Sequence, residues 1–136
     1  DAVDYFTGLW ETELRENEIF TEVKIPVDRA NANSCYLKFP QPASRYPYVG
    51  CAVAIDETGG SCSEVRVGFS GVSECAFRDK GVEDAIRGKE LKDETIAVAS
   101  AKAAEGHSVL SDHFVSEEYR RAMAQVYAKR ALTQLS

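Results

Sequence analysis

Ser111, Asp112 and His113 stand side by side in this 136-residue chain, with His107 just upstream, and together they offer the side-chain types of a hydrolytic relay. Such a relay needs nucleophile, base and orienter to converge in space, whereas neighbours on a loop point apart. No G-x-S-x-G elbow is present either. The segment therefore reads as a loop before a helix, in which Ser111 and Asp112 bond backbone amides. The two histidines lack His-Glu-x-x-His or Cys2His2 spacing, so a zinc site is not implied, and they read as surface loop residues. Cys35, Cys51, Cys62 and Cys75 are spaced too widely for a metal knuckle or an iron–sulfur run. They read as reduced thiols on strand-like segments, with a Cys35–Cys51 or Cys51–Cys62 bridge left open. Gly59-Gly60 lies between two strands rather than between a strand and a helix, so it is a turn and not a phosphate cradle.

A different chemistry is offered by residues 36–50. Pro40, Pro42 and Pro47 fix three backbone angles within eight residues and bias Phe39, Gln41 and Tyr46 toward extended geometry. Lys38, Arg45, Tyr36, Tyr46 and Tyr48 surround this stiff loop. The combination suits contact with a flat, partly anionic ligand.

The elements that must carry these residues follow from periodicity. Three strands are predicted, over Ser34–Phe39, Val49–Ile55 and Glu64–Ser70, the last two joined by a turn at 56–61 whose paired glycines supply positive φ. Beyond Gly71 the period becomes helical. Glu74–Arg87 carries Val82, Ala85 and Ile86 and stops at Gly88. Asp93 is the predicted N-cap of a helix through Glu105, and Ser116 that of a last helix with Tyr119, Met123, Val126, Tyr127 and Leu132 as its apolar face. Residues 1–26 read as an arm and extended segment, and Val27–Asn33 as a loop. The expected fold is α+β, a three-stranded antiparallel sheet packed against a C-terminal bundle of about three helices.

Composition limits the partners. A net charge of −6 with no stripe of Lys and Arg argues against nucleic acid. Arg120, Arg121, Lys129 and Arg130 read as a solvated or interface face of the last helix. No apolar run reaches the roughly 20 residues of a membrane span, and no signal peptide opens the chain, so it is expected to be cytoplasmic. A start at Asp1 rather than methionine fits a trimmed tag or a domain cut from a longer polypeptide.

Read with its flanks, Tyr36-Leu-Lys-Phe-Pro-Gln-Pro-Ala-Ser-Arg-Tyr46 resembles the segment that opens the C-terminal domain of the FAD-binding (medium) subunit of molybdenum hydroxylases. This group includes carbon monoxide dehydrogenase, xanthine dehydrogenase and aldehyde oxidoreductase. Leu14–Pro26, Gly71–Gly88 and Ser116–Leu132 agree with the same family in the same order. The resemblance implies that residues 1–26 are the tail of an FAD-binding domain whose glycine-rich loops lie outside this sequence, and that 27–136 form the C-terminal domain. It implies that Leu37, Lys38 and Tyr46 lie close to the isoalloxazine ring. There a lysine stabilises negative charge that builds on reduction, and a tyrosine covers the ring and gates access of an electron acceptor. Arg45 departs from the acidic residue found before this tyrosine in one branch of the family, and Gln41 from a histidine or basic residue.

The implied partners are the FAD-binding domain, a large subunit with molybdopterin and a small subunit with [2Fe-2S] clusters. Electrons would pass from the clusters to FAD, and this domain alone would not be catalytic and would bind FAD poorly. A rival from another class is a free-standing protein-interaction domain of the same fold that has lost flavin function.

Overall fold

The computed structural model describes residues 1–25 and 33–136. In chain order the elements are α1 (Ala2–Tyr5), β1 (Phe6–Gly8), β2 (Glu11–Thr12), β3 (Asn33–Pro40), β4 (Pro47–Thr58), β5 (Ser61–Ser70), β6 (Phe77–Arg78), α2 (Lys80–Ile86), α3 (Asp93–Ser100) and α4 (Glu117–Leu135). β3, β4, β5 and β6 form one antiparallel sheet in that order, and β1 pairs with β2 in a separate ribbon.

Alternation explains the central strands. Val49, Cys51, Val53 and Ile55 of β4, with Val65, Val67 and Phe69 of β5, all face one side and are all buried. Successive strand side chains point to opposite faces, so β-branched and aromatic residues at every second position build a one-sided core. Each such burial stabilises the fold by about 1.5–3 kcal/mol relative to exposure. Register places Val53 opposite Val67 and Cys51 opposite Phe69. The two strands turn at Gly59 and Gly60, whose φ values of +61° and +78° suit residues without a Cβ.

Helices cover that side. α4 lies over β3 and β4 and buries Ala124, Ala128, Ala131, Leu132 and Leu135, while α2 and α3 add Val82, Ile86, Ile96 and Ala99. The expected α+β class and one-sided antiparallel sheet are therefore present, with three corrections of detail. First, the sheet has four strands: β6 is only two residues long, too short to show a period. It is held by Arg78 opposite Gly68 and by Phe77 packing on Phe69 at 5.6 Å. Residues 74–79 thus precede α2 instead of opening it, and Asp79 caps it by accepting from the Val82 amide. Second, α3 is capped at Lys92 without a side-chain bond and ends at Ser100, continuing to Gly106 as turns.

The third correction concerns α4. Its buried stripe is largely alanine, and the predicted Tyr119 is exposed while Met123, Val126 and Tyr127 are half-buried. Small side chains let the helix axis approach the sheet closely, and the larger residues fall on its flanks. At residues 1–25 the expected arm folds into one helical turn and the β1–β2 ribbon. Tyr5 packs on Phe6 and Phe20, but Trp10 and Ile19 stay exposed. The predicted Val27–Asn33 loop lies outside the described residues up to 32, and Asn33 itself opens β3.

Close approach of α4 yields a prediction. Enlarging wholly buried Ala128 to leucine (A128L) is expected to destabilise the chain by about 1–3 kcal/mol through overpacking. A urea midpoint that falls with an unchanged slope would register it.

Candidate functional site

The β3–β4 connection is a closed, hydrogen-bonded turn. The Gln41 amide donates to the Tyr46 carbonyl at 2.8 Å and the Arg45 amide donates to the Gln41 carbonyl at 2.9 Å. The Gln41 side-chain oxygen accepts from both the amide and the hydroxyl of Ser44. Gln41 is thus spent on bracing the turn. Arg45 sits at φ +65°, a left-handed position uncommon for a residue with a Cβ. On this braced backbone the Tyr46 side chain is 71% exposed.

Leu37 and Lys38 take opposite faces of β3. Leu37, opposite Cys51, packs against the core, whereas Lys38, opposite Gly50, projects from the face that the helices leave open. No carboxylate among the described residues lies within 4.0 Å of the Lys38 ammonium. The open face beside it is shallow, because Gly50, Ala52, Gly68 and Ser70 present little side chain. Gly50 leaves room there, since a Cβ would meet the hydroxyls of Tyr36 and Ser70 and oblige them to shift. Tyr36 therefore leans across Gly50. With Val3 and Phe6 of the arm, and with Gly68 and Arg78, it lines an apolar cleft of about 390 Å³. Gly50 is four residue steps along the chain from Tyr46, roughly 13 Å at strand rise. Lys38 and Tyr46 thus stand along one end of the sheet, one on its open face and one at its rim.

Two buried charges fix that end and the opposite edge. Glu83 of α2 is 0% exposed and accepts from the Val67 amide at 3.0 Å, Arg78 Nε at 2.5 Å and Lys80 Nζ at 3.1 Å. Burial alone would raise its pKa, but the bonds from Arg78, Val67 and Lys80 outweigh burial and hold it below the usual carboxylate range. Asp79 beside it is also buried and accepts from the Ala104 amide at 2.8 Å. Arg120 of α4, 3% exposed, donates to the carbonyls of Tyr48 and Gly71 at 3.1 and 2.6 Å and pairs with Asp112 at 2.6 Å. The Phe114 amide acts most strongly on Asp112, and with the Val115 amide and the Arg120 guanidinium it outweighs the opposing effect of burial and keeps the carboxyl low.

The remaining sequence candidates separate. Asp112 accepts backbone amides as expected, while Ser111 and His113 are exposed and His107 stacks on Phe77 at 3.9 Å. Among the described residues no group of three or more His, Cys, Asp or Glu gathers at metal-binding distance. The four cysteines are unpaired, and burial, with Cys35 and Asp79 nearby, pushes the Cys51 thiol up to about 12. No helix among the described residues is long and apolar enough to cross a membrane. Lys129 and Arg130 are exposed, whereas buried Arg120 corrects the reading of a solvated or interface face. Its position four and eight residues before Ala124 and Ala128 was the available signal, because that spacing lies on the buried stripe.

Helices packed on one side of an antiparallel sheet place the chain in the α+β class. The family describing the C-terminal domain of the CO dehydrogenase flavoprotein matches residues 34–135, and the chain belongs to it. Among relatives, the chain is 27% identical over 135 residues to the glyceraldehyde dehydrogenase medium chain of Sulfolobus acidocaldarius, covering 99% of this chain and 48% of that one. It is 31% identical over 134 residues to the nicotine 6-hydroxylase medium subunit of Paenarthrobacter nicotinovorans, covering 98% and 47%. The structure superposes on carbon monoxide dehydrogenase from Hydrogenophaga pseudoflava lacking the Mo-pyranopterin moiety, with a TM-score of 0.89 and 30% identity, covering 97% and 46%. Quinoline 2-oxidoreductase from Pseudomonas putida 86 gives a TM-score of 0.88 and 25% identity, covering 98% and 46%. The chain spans about half the length of the relatives it matches. The match runs through residues 1–25 as well as the domain, which does not favour the reading as a free-standing interaction domain.

The two depressed carboxylates set the acid limit. A carboxyl whose folded pKa is lowered contributes stability above its unfolded value, and loses it as pH falls through the folded one. The chain is expected to keep its stability down to about pH 5 and to lose it progressively below the ordinary value of 4.5 for glutamate. Glu83→Gln should cost about 1–3 kcal/mol at neutral pH and flatten the acid limb. Denaturant midpoints between pH 3 and 7 would show both, and an unchanged acid limb would contradict the role given to Glu83.

Proposed function

We propose that this domain forms one wall of an FAD site in the medium subunit of a molybdenum hydroxylase, at the end of the sheet that carries Lys38 and Tyr46. The observation that carries the reading is the pairing of an ammonium without an acid partner among the described residues with a tyrosine displayed on a braced turn. The residues fit the group. Beside Lys38 the open face carries the small residues Gly50, Ala52 and Ser70, and no described carboxylate lies within 4.0 Å of its ammonium.

Bound FAD would supply the two-electron redox chemistry, and this chain's residues would shape its surroundings. Lys38 holds a positive charge toward the ring, which favours the state carrying more negative charge. Tyr46 covers one approach and controls what reaches the ring. Leu37, turned into the core, seats β3 so that Lys38 is held outward. Residues 1–26 serve as the tail of the FAD-binding domain. Their exposed Trp10 and Ile19, and a two-stranded ribbon too small to be stable by itself, suit packing against further chain. The remaining partners are a large subunit with molybdopterin and a small subunit with [2Fe-2S] clusters, from which electrons reach FAD in a cytoplasmic enzyme. Relatives named as medium chains and medium subunits support this assembly.

The reading is tested in the complete medium subunit within its enzyme. One charge acts on a second about 8 Å away, at an effective dielectric of about 20, with about 2 kcal/mol. Lys38→Met is therefore expected to lower the flavin midpoint potential by about 40 mV for a two-electron couple. Tyr46→Ala should change flavin reoxidation while leaving substrate oxidation at molybdenum intact. Equal loss of both half-reactions in Y46A, together with an unmoved potential in K38M, would sink the proposal.

A further inference from the structure

Arg120 is an unusual residue for its position. It lies on the stripe of α4 that otherwise buries alanine and leucine, and its guanidinium is removed from water although an apolar side chain there would avoid the desolvation cost. Its Nε has no hydrogen-bond partner among the described residues. A charge buried at that cost, with one donor unused, is placed for the bonds its other nitrogens make.

Those bonds converge on the backbone that carries Tyr46. Arg120 Nη1 donates to the carbonyls of Tyr48 and Gly71, joining the start of β4 to the end of β5, and its guanidinium carbon lies 5.9 Å from the centre of the Tyr48 ring. Gly71, at φ +74°, lies so close that a Cβ would strike the Pro47 carbonyl, so residues 47–48 are held between β5 and α4. The Tyr46 carbonyl is fixed by the Gln41 amide, and on the N-terminal side of Tyr46 the Arg45 amide donates to the Gln41 carbonyl at 2.9 Å. Arg120 Nη2 is anchored in turn by Asp112, whose other oxygen accepts the Phe114 and Val115 amides at 2.8 Å. Tyr46 is thus an exposed side chain on a backbone gripped from both sides, which is an arrangement for presenting a side chain in a set direction.

We infer that Arg120 is a positioning residue for Tyr46, acting from α4 through the Tyr48 and Gly71 carbonyls to fix how the tyrosine faces its ligand. The inference rests on the proposed flavin role of Tyr46 for its consequence, but not for the clamp itself. A guanidinium reaches two carbonyls and a carboxylate at once because its donors form a rigid planar fork, whereas a lysine ammonium is a single point on a flexible stem. Arg120→Lys therefore keeps the charge and part of the bonding, and Arg120→Met keeps only the bulk.

The test begins with this chain and needs no flavin. Nitrogen-15 relaxation is expected to show the Tyr46 and Tyr48 amides as rigid as the sheet in the unaltered chain, with order parameters of about 0.85. They should loosen toward about 0.6 in R120M and fall between the two in R120K, with the β5 amides unchanged. Hindered rotation of the Arg120 guanidinium in the unaltered chain, seen in its side-chain nitrogen spectrum, is a second reading that survives if a variant does not fold. A freely rotating guanidinium, or Tyr46 order unmoved in folded R120M, overturns the clamp. In the complete subunit, R120M should slow flavin reoxidation by about threefold or more, with R120K partly restoring it and FAD affinity changing less. If Tyr46 loosens in R120M while reoxidation stays normal in R120M and in Y46A alike, the clamp stands and the flavin role of Tyr46 falls.

Discussion

Along β4 and β5 every second side chain must find a core, and α2, α3 and α4 supply one on a single face of the sheet. Much else follows from that one-sidedness. α4 can serve two strands at once only by lying close to them, which requires alanine at 124, 128 and 131 where its stripe meets β3 and β4. The other face meets the arm through Val3 and Phe6 and carries glycine, alanine and serine in its middle, with Tyr36 and Lys38 on the edge strand. A surface of that kind, shallow at the centre and functionalised at one end, is what the fold offers a partner.

Buried charge is placed where the covered side of the sheet would otherwise come apart. β6 pairs with β5 through two residues only, and its hold depends on Glu83, which binds Arg78 of β6 and the Val67 amide of β5 from within α2. At the far end of the same sheet Arg120 does the corresponding work with opposite sign. It collects two strand carbonyls and a loop carboxylate from within α4. In both cases the charged group bonds main chain as well as a side-chain counter-ion. Such bonds are lost in full if the charge is replaced, since the partners are left unsatisfied in a dry setting.

The part of this architecture legible in the sequence is the part carried by periodicity. Two-residue alternation located β4 and β5, the paired glycines located their turn, and Ser116 marked the start of α4, where its hydroxyl does accept from the Tyr119 amide. β6 escaped because two residues have no period, and the stability of that strand lies in a carboxylate sixteen residues from the amide it binds. Arg120 escaped for a related reason. A charged residue in a basic run reads as solvated unless the alanines that follow at four-residue spacing are given more weight than the charge. Strand alternation already set Leu37 toward the core and Lys38 outward, as the structure has them, but the proline-rich loop did not reveal the left-handed Arg45. Nor did it show that Gln41 would be consumed in holding the turn.

Presentation of a side chain demands more structure than concealment of one. A buried aromatic is oriented by the atoms packed round it, whereas an exposed one keeps a direction only if its own backbone is immobile and its χ angles are limited by what lies below. At Tyr46 the first condition is met three ways: by Pro47 immediately after it, by the Gln41 amide on its carbonyl, and by the Arg120 and Gly71 contacts on the next two residues. The arm shows the contrasting case. Trp10, Ile19 and Val23 are exposed on segments with few such restraints, and their apolar surface is suited to burial against a further body rather than to recognition of a ligand. Dense restraint beneath an exposed tyrosine and sparse contact beneath exposed Trp10, Ile19 and Val23 suit the two segments to different tasks.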